Sequence, residues 1–272
     1  METSHKTEIY IPKLANLSAV KYMAVSAHHD DIEIMAGDGI IRGQSTDGSF
    51  YAVVVSDGAG SSRSGDFSAY SDEQMKKVRN LEQKEAAEIG HYNGVAFLNF
   101  KSSEIKNSDN VEVTNELKRL IKSVRPDVIY THNIFDKHET HIAVARRVIE
   151  AINEMEMEIR PQRLYGCEVW RGLDWINDEK KICFNLSGHE QMLKKLLSVY
   201  KSQIDGGKRY DLATIGRWRS NATYSESHKV DDYSAISFGI DMTKLIDGSG
   251  VTVKDYVKSI LDEFCENVIK NV

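Results

Sequence analysis

Over its first two-thirds the chain alternates short apolar runs with stretches whose apolar residues recur every three or four positions, and few folds accept that pattern. Val20–His28 (VKYMAVSAH), Phe50–Ser56 (FYAVVVS), Val95–Phe100, Asp127–His132 (DVIYTH) and Arg163–Trp170 (RLYGCEVW) read as strands. Between them Ile32–Gln44, Ser71–Ile89, Val111–Val124 and His138–Ile152 read as helices. Val113, Leu117, Leu120, Ile121 and Val124 share one face of the third helix; Ile142, Ala145, Val148, Ile149 and Ile152 share one face of the fourth. Gly90 stops the second helix, and Pro126 introduces the fourth strand. Such spacing calls for right-handed crossovers between parallel strands. The expected fold class is α/β, a mostly parallel sheet with helices on both faces.

Past Trp170 the pattern loosens. Ser187–Gln203 and Val253–Ile269 look helical, and Ala235–Asp241 fits a late edge strand. No internal repeat and no Pro- or Ser-rich linker divides the 272 residues. A single domain over 1–272 is therefore expected, with a core at 20–170 and an extended C-terminal portion at 171–272 acting as lid or interface. The 41 acidic residues against 35 basic ones leave a formal net charge of -6, which excludes a strongly basic nucleic-acid binder. Cys167, Cys183 and Cys265 are odd in number and far apart, so they form neither a CxxC metal pair nor a disulfide framework. The opening METSHKTEIYIPKL lacks a signal-peptide core, and no run nears the roughly 18 apolar residues of a membrane span. A reducing cytoplasm is the expected compartment.

Two strand ends carry the chemistry, since ligands of such sheets bind beyond the carboxyl ends of the strands. Ala27-His28-His29-Asp30-Asp31 leaves the first strand, and THNIFDKHETH, Thr131 to His141, leaves the fourth. His28, His29, His132, His138 and His141 are five of the chain's nine histidines. His28 and Asp31 can converge on one ion from a tight strand-to-helix turn. His138 and His141, three apart at a helix start, share a face. Two imidazoles with one carboxylate suit Zn²⁺ and leave one position for water. Adjacent carboxylates at a turn point apart, so of Asp30 and Asp31 one would ligate and the other serve as general base. Together with an imidazole for the oxyanion, these are the parts for hydrolysing an amide.

The residues themselves resemble a known family. His28-His29-Asp30-Asp31 looks like the His-Pro-Asp-Asp signature of the LmbE/PIG-L-type zinc N-deacetylases, and His138-Glu139-Thr140-His141 like their His-Pro-Asp-His. Ser56-Asp57-Gly58 after the second strand fits as well, and the likeness covers about residues 20–150. This resemblance implies a Rossmann-like fold and removal of acetyl groups from N-acetylated sugars and related conjugates. It implies His28, Asp31 and His141 as ligands of one Zn²⁺ per chain, Asp30 as the base, and His138 as the oxyanion-stabilising acid. The substrate would be a small N-acetylated amino sugar, sugar conjugate or aminoglycoside-like compound, yielding acetate and a free amine. By the same analogy the chain would form a homo-oligomer, with neither nucleic acid nor membrane as partner.

Two positions depart from the family pattern. His29 stands where the family has proline and is expected to face solvent at the turn. Thr140 replaces the aspartate that orients the catalytic histidine; Asp136 is the expected substitute, ahead of Glu139. Arg79 and Glu82 match the family's Arg-x-x-Glu helix, and Arg79 would hydrogen-bond sugar hydroxyls. His132 is expected to make a structural hydrogen bond at its strand end. Trp170 and Trp175 are candidates for an aromatic wall. The polar stretch from Lys201 to His228 suits a pocket lid or subunit contact, and DGAGSSRSGDF, which lacks a P-loop lysine, suits a rim loop. Two competing classes remain. A phosphoesterase would need two bridged metals. A non-catalytic metal-containing binding protein would close its site with a fourth ligand, for which His132 is the candidate.

Overall fold

The computed structural model describes residues 7–13, 15, 19–45 and 49–272. Its strands are β1 (Glu8–Tyr10), β2 (Tyr22–Ser26), β3 (Phe50–Ser56), β4 (Gly94–Phe100), β5 (Val128–His132), β6 (Arg163–Cys167), β7 (Lys181–Asn185) and β8 (Ile236–Asp241). They form one sheet in the order β1-β4-β3-β2-β5-β6-β8-β7. The five strands from β4 to β6 are parallel, while β1, β8 and β7 join antiparallel. From β2 the chain steps outward through β3 to β4, then returns to the other side of β2 for β5 and β6. That reversal opens a crevice at the carboxyl ends of β2 and β5, where both histidine-rich segments emerge.

The helices are α1 (Asp31–Met35), α2 (Gly37–Gly43), α3 (Asp72–Ile89), α4 (Ser102–Lys106), α5 (Val111–Val124), α6 (Glu139–Asn153), α7 (Glu190–Ser198), α8 (Lys201–Ile204), α9 (Tyr210–Tyr224) and α10 (Val253–Lys270). Alternate strand residues feed opposite layers. Met23, Val25, Val53 and Ile129 pack with Leu117, Ile121, Val148 and Ile260 on one face. Ala24, Ala52, Val54 and Tyr130 pack with Ile32, Ile40, Leu193 and Trp218 on the other. No helix among the described residues is long and apolar enough to cross a membrane.

Local chemistry explains where expectation and structure agree. Phe50–Ser56 and Val111–Val124 are β3 and α5 residue for residue. Ser71 caps α3 by accepting from the Gln74 backbone N–H, while the Gln74 side chain accepts from Ser71 N–H. Elsewhere tertiary contacts override the pattern. Ile32–Gln44 is two helices, because the chain leaves helical geometry at Ala36 (φ -111°, ψ 28°). The second piece then lies close on Tyr130, where a Cβ on Gly39 would come 2.7 Å from the ring. Ser187–Gln203 also breaks in two. Tyr200 turns inward there and donates its hydroxyl to Glu33 Oε2 at 2.6 Å.

The late strand is not an edge: β8 sits between β6 and β7. The outside position falls to β7, whose KICFN sequence fully buries only Phe184. Helix α9 has no clear apolar stripe. Its inner face, Thr214, Trp218, Asn221 and Ala222, mixes polar with apolar residues.

Candidate metal centre and active site

The turn after β2 folds a carboxylate back on itself. His28 N–H donates to Asp31 Oδ2 at 2.8 Å, and Asp30 reaches α1 in the left-handed region (φ 84°). A non-glycine residue there is held by its surroundings. Asp30 Oδ2 accepts from Arg79 Nη2 at 2.9 Å, and Arg79 also donates to the His29 carbonyl.

The loop between β5 and α6 is organised by Asp136. Its Oδ1 accepts from Lys137 N–H at 2.6 Å and His138 N–H at 3.2 Å, which sets up the start of α6. Its Oδ2 lies 3.2 Å from His141 Nδ1. A carboxylate only accepts, so His141 carries its proton on Nδ1 and turns the Nε2 lone pair inward.

Three donor atoms then meet. His28 Nδ1 lies 3.2 Å from Asp31 Oδ2 and 3.1 Å from His141 Nε2, and His141 Nε2 lies 3.3 Å from Asp31 Oδ2. Donors placed tetrahedrally about 2.0–2.1 Å from a Zn²⁺ are separated by about 3.3 Å. The triangle therefore fits such an ion in both size and chemistry. His132 and His138 also bring ring nitrogens within 4.8 Å of parts of this cluster. His132 differs in that its Nε2 accepts from Ala27 N–H at 2.8 Å. That lone pair is engaged by the backbone, as the expected strand-end hydrogen bond requires.

Electrostatics separate the roles. Burial alone would raise Asp31, but His141 and His132 hold it well below the usual carboxylate range. Burial pushes Asp30 up to about 6, against the pull of Arg79. With no ion bound, burial would lower His141, but Asp31 and Asp136 outweigh it and raise it to about 9, so an ion binding at Nε2 displaces a proton from that nitrogen. His138 falls to about 4, through burial and the neighbouring His141 and His28 rings.

Several expected contacts are placed differently. Asp136 faces His141 rather than His138, because His141 lies one turn inside α6 while His138 sits at its cap. His138 Nδ1 is buried without a hydrogen-bond partner among the described residues. Arg79 lines the cavity but is only 2% exposed. Its guanidinium is directed at Asp30 and Glu82. Glu82 in turn accepts from Ser202 N–H and Oγ at 2.7 and 2.8 Å, which ties α8 to the site.

His29 is fully buried instead of facing solvent. It donates Nε2–H to Asn80 Oδ1 at 2.7 Å and stacks on Phe97. Gly58 (φ 73°) passes so close that a Cβ would lie 3.0 Å from the His29 ring, so this histidine and that glycine require one another. Trp170 forms part of the cavity wall, whereas Trp175 packs on Phe135. The cavity, about 580 Å³, is lined by His28, Asp30, Asp31 and His138 at its inner end. Sequence reasoning did not single out Tyr210 and Thr214, which also line it, with Tyr210 in the field of Asp30 and Asp31.

Residues 23–152 match the family PIG-L: GlcNAc-PI de-N-acetylase. Both histidine-rich turns, and every donor of the triangle, lie within the match. No curated relative matches the chain. Among solved structures, the conserved protein TT1542 from Thermus thermophilus is 18% identical, with TM-score 0.63, covering 81% of this chain and 94% of that one. The 4-carboxy-2-hydroxymuconate hydratase GalB from Pseudomonas putida is 17% identical, with TM-score 0.61, covering 82% and 96%. The N,N'-diacetylchitobiose deacetylase from Pyrococcus horikoshii is 15% identical, with TM-score 0.62, covering 83% and 84%. These likenesses establish a shared fold.

Asp136 offers a direct test of the donor set. Asp136→Asn is expected to weaken Zn²⁺ binding about ten- to a hundredfold, since it loosens the ring that presents Nε2. Competition with a chromogenic chelator measures this, and unchanged affinity would remove Asp136 from the site.

Proposed function

We propose that the chain is a zinc-dependent N-deacetylase that hydrolyses the acetamido group of a small amino sugar or sugar conjugate. The observation that carries this reading is the triangle of His28 Nδ1, Asp31 Oδ2 and His141 Nε2, with edges of 3.1–3.3 Å, opening on a cavity that also holds the Asp30 carboxylate. Zn²⁺ held by these residues would supply Lewis acidity toward the acetyl carbonyl and acidify water there.

The remaining work falls to side chains. Asp30, fixed by Arg79, takes a proton from the attacking water. His138 donates a ring N–H to the oxygen that becomes negative. In place of a standing imidazolium acid at His138, for which no orienting carboxylate is present among the described residues, the proton on Asp30 passes to nitrogen as the C–N bond breaks. Acetate and a free amine leave. In this reading residues 1–272 act as one unit, with the C-terminal portion walling the cavity.

The fold does not select the reaction, because a hydratase shares it with a deacetylase. Other observations favour hydrolysis at one ion. The candidate donor groups among the described residues share His141, which favours one ion over the two bridged metals of a phosphoesterase, and the His132 Nε2 bonded to Ala27 N–H favours an open site. Acetate release from a panel of N-acetylated sugars, sugar conjugates and aminoglycoside precursors is the test. Release that stops with a chelator and returns with Zn²⁺ is expected; no release from any member would overturn the proposal.

A further inference from the structure

Among the described residues, His138 is the one site histidine whose ring no hydrogen bond fixes. His28 lies against Asp31, His141 against Asp136, and His132 accepts from Ala27 N–H. The His138 Nδ1 is buried without a partner. The neighbouring acids are engaged elsewhere. Asp136 spends Oδ2 on His141 Nδ1 at 3.2 Å and on Trp170 N–H at 3.3 Å. Glu139 pairs with Lys106 at the surface, 3.1 Å away.

Aromatic faces hold the His138 ring instead. His141 stacks on it with centroids 4.5 Å apart and planes inclined by 25°. Trp170 stacks on it at 6.1 Å and 29°, and His28 meets it edge-on at 4.9 Å. These separations lie in the range over which aromatic rings attract one another. Trp170 has no ring contact of its own with His28 or His141 among the described residues, so His138 is the link between the indole and the donor triangle.

The fold makes the indole a firm wall. Trp170 comes three residues after β6, beside the end of β5, because His132 and Cys167 are register partners. Its N–H is anchored on Asp136, and the Val169 carbonyl before it accepts from Arg217 Nη1. Tyr210 of α9 abuts the indole edge-on at 5.9 Å. The Lys137 and Lys208 ammonium groups lie 5.6 and 5.3 Å from the indole ring centroid, within reach of its π face. Asp136 thus serves two histidines: His141 by touching it, and His138 by holding the backbone of the residue that stacks on it.

We propose that Trp170 is the positioning residue of His138, its indole keeping the imidazole in the plane from which it donates to the oxyanion. This rests on the deacetylase reading. It supplies by stacking the orientation that Thr140, standing in place of an aspartate, does not provide.

Trp170→Leu keeps an apolar wall and removes the flat face, whereas Trp170→Phe keeps a flat face. In the Zn²⁺-loaded protein, Trp170→Leu is expected to lower kcat about ten- to a hundredfold, the cost of misplacing a reacting group. KM and Zn²⁺ affinity are expected to stay within about threefold, because the lost interaction belongs to the transition state. Trp170→Phe is expected to recover most of kcat. Added to His138→Ala, Trp170→Leu is expected to lower kcat no further, since the two residues act as one unit. A readout without turnover is ¹³C relaxation at His138 Cε1, assigned by its loss in His138→Ala. The order parameter is expected to fall from about 0.85 to below about 0.6 in Trp170→Leu, and to hold in Trp170→Phe. Trp170→Gln, which also lacks a flat ring, takes the place of leucine should that variant not fold.

An unchanged kcat with a raised KM would make Trp170 a platform for substrate and overturn the proposal. Losses that multiply in the double variant, or a His138 ring as ordered in Trp170→Leu as in the parent, also overturn it. Absence of acetate from every substrate sinks the deacetylase reading alone, and the ring-order measurement then decides whether Trp170 holds His138.

Discussion

Asp30→Asn is expected to keep the fold and bind one Zn²⁺ per chain while lowering amide hydrolysis by about a hundred- to ten-thousandfold, the usual worth of a positioned proton acceptor. Asparagine has nearly the same shape, and its Oδ1 still accepts from Arg79. Arg79 keeps Glu82, 3.1 Å away, so no buried cation is left without a counter-charge. None of the three donors of the triangle is removed. Metal content by elemental analysis, measured beside kcat on the best substrate, separates the outcomes. Near-normal turnover would show that Asp30 is not the base, and loss of metal would show that the two neighbouring carboxylates have been assigned the wrong way round.

His141→Ala is expected to abolish stoichiometric Zn²⁺ binding, with a larger loss than Asp136→Asn, because a donor is deleted rather than loosened. A second effect follows from charge. Asp31 and Asp136 both face this ring and are both held below their usual range partly by it. Removing the ring leaves two buried carboxylates facing each other's field, and breaking buried pairs of this kind costs about 3–5 kcal/mol. Thermal denaturation of the metal-free protein reads this cost, and equilibrium dialysis reads the metal. A variant that still holds one ion tightly would show that His138 or His132 is the third donor instead.

What could be read from the residues depends on how local the cause was. The parallel core was legible because Val53, Leu117 and Val148 sit in periodic runs whose period alone decides between strand and helix. The convergence of His28, Asp31 and His141 was legible because both turns leave adjacent strands on the side where such crevices open. Orientation within the site was not. Nothing in the spacing tells that Asp136 turns to His141 instead of His138, since that follows from the loop folding its own amides onto Oδ1.

His29 was misplaced for a related reason. A polar residue at a turn is usually wet, and only the approach of Phe97 and Asn80 from elsewhere buries it. The outer wall was hardest to see. α9 buries Thr214, Trp218 and Asn221 together, so its inner face carries no apolar stripe. Its cavity-lining residues at 210, 213, 214 and 217 do repeat at helical spacing, a signal visible once they are sought as a polar face.

The inner position of β8 has a consequence for how the molecule is assembled. β6 is made early but lacks its outer neighbour until Asp241 has been synthesised, and β7 pairs only with β8. Even the nearer of the two, β7, must wait through roughly fifty residues of helix and turn between Asn185 and Ile236, a long loop to close before any ladder rewards it. On the growing chain the histidine-rich turns after β2 and β5 can be in place while the side of the molecule that carries α9 is still unfastened. The cavity wall contributed by α9 is thus fixed only after the turns at its base have been made.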